Sequence, residues 1–151
     1  GFTNDPTSLS GIKDHNDKVY TKELIYETGL TNPLIVKRME ELGIPKDALI
    51  YADNAEPKSI EEIKRLGYWN IKPCIKGPDS INSGIDFLLS KQIYYTEDSI
   101  NITTEIQEYK WALDKNKEPT NKPIDKFNHA MDGIRYGVFT KHQPKKLVGI
   151  L

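Results

Sequence analysis

The sequence predicts an α/β fold in which a mixed β-sheet is flanked by helices. The first observation behind this prediction is a hairpin, because the runs SLSGIKD and KVYTKELIYE are compatible with β-strands and flank the polar cluster DHND. The second is a change of period after residue 31, where short apolar runs alternate with segments of helical spacing. A hairpin followed by strand–helix alternation gives a sheet with both pairing directions, covered by helices.

The first helix is predicted from residue 32 to residue 42. Its inward stripe consists of Leu34, Ile35, Met39 and Leu42. Gly43 and Pro45 follow directly, and these residue types end helices.

A short strand and a second helix come next. The run ALIYAD is apolar enough for a buried strand, and AEPKSIEEIKRLG has helical spacing. The inward stripe of this helix consists of Ile60, Ile63 and Leu66. Pro57 suits its first turn and Gly67 ends it.

The later elements continue the alternation. NIKPCI and QIYYT are strand candidates on either side of a helix, PDSINSGIDFLLS, and a further helix begins at Ser99 or Asn101. The inward residues of PDSINSGIDFLLS are Ile81, Ile85, Leu88 and Leu89. WALDKNKEPTNKP is predicted to be an exposed loop or β-ribbon, because its Lys, Asn and Pro residues leave little to bury. The last helix is predicted from Asp125 to Val138.

Length and composition favour one domain, residues 1–151, that folds without disulfides. The single cysteine, Cys74, has no histidine nearby in the sequence and is interpreted as a small core residue. No apolar run approaches the ~20 residues that cross a bilayer, and the first residues do not resemble a secretory signal, so we expect a cytoplasmic protein. With 21 basic and 22 acidic residues, bulk charge does not favour nucleic acid, and any such contact must be local.

Asp53 is the first candidate site residue. It follows the apolar run that ends at Ala52 and precedes a helix. In α/β sheets, binding sites form at the carboxyl ends of strands, which favours a functional role for Asp53. A cap or turn residue is the structural alternative.

The last helix supplies the second group of candidates. Asp125, His129 and Asp132 are spaced i, i+4 and i+7 and therefore share one helix face. On an isolated helix this row would simply face solvent. If Asp53 faces the same row, its carboxylate and that of Asp132 form a site for Mg²⁺ or Mn²⁺, because hard cations prefer oxygen ligands. His129 could ligate the metal, orient an aspartate or meet a phosphate, and its structural alternative is a polar helix residue.

Other chemistry lacks its motifs. The sequence contains no GxxxxGK[ST] phosphate loop, no GxGxxG after a strand and no HExxH. ATP, dinucleotide and thermolysin-type zinc sites are therefore not predicted.

Four segments, in order, resemble the C-terminal nuclease domain of tailed-phage large terminase subunits, including those of PBSX-like prophages. They are YADNAEPKSIEEIKRLG, IKPCIKGPDSINSGIDFL, YKWALDKNKEPTNKPID and FNHAMDGIRY. The resemblance implies a ribonuclease H-like fold and two-metal cleavage of concatemeric viral DNA during genome packaging. It implies that Asp53 and Asp132, the latter within HxxDxxRY, bind Mg²⁺ or Mn²⁺, with His129 beside them. It also implies that KNKEPTNKP is a β-hairpin near the mouth of the active site.

In this family the first strand ends in a pattern such as DFGFTNDPT, whose leading aspartate is a metal ligand. Here the sequence starts at GFTNDPT, so the resemblance places that acid two residues before Gly1 and predicts a truncated first strand. Asp5 is a possible substitute, although NDP is more typical of a turn. The resemblance implies as partners double-stranded DNA, a terminase ATPase domain, a small terminase subunit and a portal protein.

Two alternatives stay open at this point. One is a non-catalytic module that holds DNA or docks on the portal, with structural acids. The other is a different ribonuclease H-like enzyme, such as a junction resolvase or transposase.

Overall fold

The computed structural model describes residues 5–75, 86–108, 111–113, 115–123 and 128–141. The strands are β1 (Thr7–His15), β2 (Lys18–Glu27), β3 (Ile50–Ala52), β4 (Ile71–Pro73), β5 (Gln92–Tyr95), β6 (Trp111–Leu113) and β7 (Pro119–Pro123). The helices are α1 (Asn32–Glu41), α2 (Pro57–Arg65), α3 (Ile100–Glu108) and α4 (His129–Lys141). This order matches the alternation predicted from the sequence.

The pairing of the strands is mixed, as predicted. β1 and β2 form the antiparallel hairpin, with a register shift between Leu9 and Ser10, and β5 pairs with β2 in parallel. These three strands are called here the first sheet. β3 and β4 form a second, parallel sheet. β6 and β7 form an antiparallel ribbon, so the β-ribbon prediction for this segment is confirmed.

One hydrophobic core, called here the first core, lies around α1 and α2. It consists of Ile25, Leu30, Val36, Met39, Ile60, Ile63, Tyr68 and Ile71. Tyr68 is fully buried, and its hydroxyl donates a hydrogen bond to the Ile44 carbonyl oxygen at 2.9 Å. The loop after α1 therefore provides the hydrogen-bond acceptor that the buried Tyr68 hydroxyl needs.

The second core lies between the first sheet and helices α3 and α4. It consists of Val19, Leu88, Ile102, Ala130, Met131, Ile134 and Val138. Helix α4 packs against both β1 and β3. The approach to β1 is close, because a Cβ added at Gly137 would lie 2.8 Å from Ile12 Cδ1. This helix therefore links the two sheets.

Some inward-facing positions predicted from the helical stripes are wrong. They are Leu34, Leu42, Leu66 and Leu89, all of which are exposed. Leu42 and Leu66 are the C-cap residues of α1 and α2, where the regular helical spacing ends. Among the described residues the last helix is His129–Lys141, so it continues three residues beyond the predicted end at Val138. Cys74 is buried, as predicted.

Other predictions fall on residues that the structure does not describe. Of the helix predicted in PDSINSGIDFLLS, only residues 86–90 are described, and 86–89 are helical. Ile81, Ile85 and Asp125 lie outside the described residues. Within the described part of the chain, no helix is long and apolar enough to span a membrane.

Candidate functional site

Asp53 lies directly after β3, at the position expected for a strand-end site. Its Oδ1 atom accepts a hydrogen bond from the Ala55 backbone N–H at 3.0 Å, which makes it a turn residue as well. It does not cap the following helix, because the N-cap position of α2 is Glu56. Asp53 is half-buried, and its carboxylate is held by the turn.

Asp132 lies in the first turn of α4 and its side chain is 27% exposed. The Nη2 atom of Arg135, one turn further along, lies 3.3 Å from Asp132 Oδ1. Burial raises the pKa of the Asp132 carboxyl above its ordinary value, while the positive charge of Arg135 and, more weakly, His129 oppose that rise. The carboxylate is therefore only partly compensated by its neighbours.

The structure places Asp53 and Asp132 near each other. Helix α4 packs against β3, and the negative charge of Asp53 contributes to the raised pKa of Asp132. Two carboxylates that repel each other in a partly buried site favour a shared cation.

His129 and Asp5 lie at the same end of α4. His129 is the first residue of the helix, and its Nε2 atom is 3.9 Å from Asp5 Oδ1. This distance is too long for a hydrogen bond. The Asp5 side chain is 71% exposed, so it lies at the rim rather than inside the site.

The candidate metal ligands meet some of the requirements of a hard divalent cation. Mg²⁺ is commonly held by one or two carboxylates, with waters and substrate phosphates completing its shell. Asp53 and Asp132 provide that number of carboxylates. Among the described residues, no group of three or more His, Cys, Asp or Glu side chains is arranged to hold a metal ion. Asp5 and His129 therefore do not complete a ligand cage in this geometry.

Two charged residues near the site were not singled out from the sequence. Arg135 is buried and pairs with Asp132, and its Nε atom has no hydrogen-bond partner among the described residues. Glu105 in α3 is buried against the first turn of α4. The available signal for Glu105 was its position in an apolar helical stripe that includes Ile102 and Ile106.

The comparisons with known proteins agree on one family. The family model described as "Terminase RNAseH like domain" matches residues 1–139. The large terminase subunit of Bacillus phage SPP1 is 29% identical over 137 residues, which cover 87% of this chain and 32% of that protein. The chain thus spans about a third of the length of this relative.

Solved structures agree with this comparison. The nuclease domain of the SPP1 large terminase, a crystal structure with bound Mn, superposes with a TM-score of 0.80 at 26% identity, covering 93% of this chain and 82% of that one. The large terminase of a thermophilic bacteriophage shares the fold, with a TM-score of 0.69 at 21% identity, covering 91% of this chain and 37% of that one. The ribonuclease H-like fold expected from the sequence is confirmed.

Proposed function

The chain belongs to the family of terminase RNase H-like domains, and from that premise we propose that it is a metal-dependent endonuclease that cuts concatemeric viral DNA during genome packaging. The observation that supports the proposal is the packing of α4, which carries Asp132 in its first turn, against β3, which Asp53 directly follows. The charge of Asp53 also raises the pKa of Asp132. The SPP1 nuclease domain with bound Mn supports the use of a divalent cation.

Asp53 and Asp132 are proposed to hold Mg²⁺ or Mn²⁺, with two ions in the complete site. When bound, a pair of such ions activates water and stabilises the leaving oxygen in phosphodiester hydrolysis. Asp53 is held by its own turn and Asp132 by Arg135, so neither carboxylate has to be ordered when a cation arrives. The raised pKa of Asp132 indicates that Arg135 leaves its charge incompletely balanced, which favours a second cationic partner.

His129 is proposed to support the two acids. It lies one turn before Asp132 on α4, and its side chain is 32% exposed. From there the imidazole can orient an aspartate or contact the scissile phosphate.

The substrate and partners follow from the same proposal. Double-stranded DNA is the substrate, and the proposed partners are a terminase ATPase domain, a small terminase subunit and a portal protein, acting in the host-cell cytoplasm. The ribbon formed by β6 and β7 is proposed to limit access to the site. Its connecting residues 115–118 are exposed, as such a role requires.

The direct test is plasmid nicking in Mn²⁺ by Asp132→Ala. We expect the variant to lose cleavage while its circular dichroism spectrum stays that of the folded protein. Asp47→Ala, which removes an exposed acid between α1 and β3, is the matched control and should cut normally. Undiminished cutting by Asp132→Ala would remove the catalytic assignment.

A second function is a non-catalytic module that holds DNA. It is favoured by the lack, among the described residues, of any group of three or more potential metal ligands. Titration with Mg²⁺, followed by NMR, separates the two functions. Chemical-shift changes confined to Asp53, Asp132 and their neighbours support the nuclease, whereas duplex binding without such changes supports the holding module.

A further inference from the structure

Glu105 is a buried acid that the proposed chemistry does not use. It lies in α3, is 1% exposed, and has a partner for each carboxylate oxygen. Oε1 accepts a hydrogen bond from the Met131 backbone N–H at 3.0 Å, and Oε2 accepts one from the Tyr26 hydroxyl at 2.8 Å. One carboxylate thus joins β2, α3 and the first turn of α4.

The contact with Met131 has a clear physical basis. The first N–H groups of a helix have no partner within the helix, and the helix dipole favours negative charge at that end. Such groups are usually satisfied by a side chain just before the helix. Here the acceptor comes from another helix, 26 positions away in sequence, so the bond also fixes where α4 begins relative to α3.

Tyr26 holds the carboxylate in place from the other side. Burial raises the pKa of the Tyr26 hydroxyl, and its hydrogen bond to Glu105 raises it further. The phenol therefore remains a donor, and the Glu105 side chain has little freedom to turn away from Met131.

Met131 directly precedes Asp132. We propose that Glu105 is a positioning residue for the metal site: by anchoring the Met131 N–H, it sets the first turn of α4 and thereby the place of the Asp132 carboxylate relative to Asp53. This inference rests on the proposed metal-dependent function. Both Glu105 carboxylate oxygens are engaged by Tyr26 and Met131, so Glu105 would act through the backbone of α4.

The molecule contains a matched control for this role. Glu23 in β2 accepts hydrogen bonds from the backbone N–H groups of Asn101 and Ile102, at 2.9 and 3.1 Å, at the start of α3. It is the same type of contact, a carboxylate from another element at a helix N-terminus. Because Glu105 keeps its own bonds to Tyr26 and Met131 when Glu23 is replaced, loss of the Glu23 contact at the start of α3 should affect stability without displacing Asp132.

The experiment measures the Mn²⁺ dissociation constant by isothermal titration calorimetry, at a temperature where every variant is folded. Glu105→Ala should weaken binding roughly 10-fold, the size of effect typical of residues that orient metal ligands. Tyr26→Phe, which removes only one anchor of Glu105, should weaken it less, and Glu23→Ala should leave it unchanged. Hydrogen exchange at the Met131 amide should be faster in Glu105→Ala and unchanged in Glu23→Ala.

The outcomes separate the inference from the function on which it rests. If the unsubstituted protein binds no Mn²⁺, the metal-dependent function and this inference both fail. If it binds Mn²⁺ and Asp132→Ala does not, but Glu105→Ala binds like the unsubstituted protein or like Glu23→Ala, only the positioning role fails. Should Glu105→Ala not fold, Tyr26→Phe and Glu105→Gln give the same comparison, and normal affinity in both would overturn the role.

Discussion

The two cores of this molecule differ in whether the charged side chains around them are exposed or buried. Around the first core, charged groups stay at the surface in exposed ion pairs, such as Arg38 with Glu27 and Lys46 with Glu40. The buried polar and charged residues of the described chain all lie on or next to the elements around the second core. They are Thr21, Ser99, Glu105, Arg135 and Thr140.

This difference separates a scaffold from a site. Burying a charge is unfavourable unless it is paired and hydrogen-bonded, so a core built for stability alone excludes it. Around the second core, Glu105 and Arg135 are buried and each contacts the first turn of α4, where Asp132 lies. The charges are concentrated where a carboxylate has to be held in a defined place.

The largest effect is expected from Asp53→Asn. The variant should lose metal-dependent cleavage by more than about 100-fold, exceeding the loss typical of an outer-shell partner. Because the charge of Asp53 raises the pKa of Asp132, the substitution should also lower that pKa in metal-free protein. Carboxyl ¹³C NMR during a pH titration in EDTA measures the shift, with Asp47→Asn as the control. An unchanged Asp132 titration would show that the two acids do not share a site.

The next largest effect is the loss of stability expected when Arg135 is replaced, compared with the loss when Arg38 is replaced. Arg135→Ala leaves the partly buried Asp132 carboxylate without the arginine that pairs with it and should lower the free energy of unfolding by about 3 kcal/mol, the lower end for a buried pair because Asp132 is 27% exposed. Arg38→Ala breaks an exposed pair and should have little effect. Urea denaturation of both variants measures the difference. Equal losses would contradict the contrast between the two cores.

A smaller substitution tests the same contrast without altering charge. Ile63→Val in the first core and Ile134→Val in the second remove one buried methylene each, and each should cost about 1 kcal/mol. Only Ile134, two residues after Asp132 on α4, should also weaken Mn²⁺ binding. Thermal unfolding and calorimetric titration measure the two effects. Weaker binding in Ile63→Val would show that the metal site depends on general stability.

Much of the fold could be predicted because its signals are local. The ends of α1 and α2 were marked by Gly43 and Gly67, which adopt φ angles of 71° and 122° that favour glycine. The predicted stripes placed Met39, Ile60 and Ile63 correctly. Asp53 could be singled out because a strand end is a feature of local sequence order.

The charged interior of the second core could not be predicted in the same way. Helical spacing can place Glu105 on the apolar stripe of α3, but nothing near it in the sequence reveals that Tyr26 and Met131 meet its carboxylate. The burial of Arg135 likewise depends on α4 packing against β1 and β3. These positions are fixed by contacts between distant segments, which a single sequence does not display.

The smallest effect is expected at the surface of the first core, where Glu27 and Arg38 are 42% and 36% exposed. The hydrogen bond from Arg38 lowers the pKa of Glu27, so this pair stabilises the fold above the ordinary carboxyl pKa, and that contribution is lost as pH falls through the lowered value. Solvent screening keeps it small, and Glu27→Gln should shift the urea midpoint only slightly at pH 7 and low salt. The shift should vanish in acid or in high salt. A large shift, or one that grows in acid, would mean that the first core also relies on its charges.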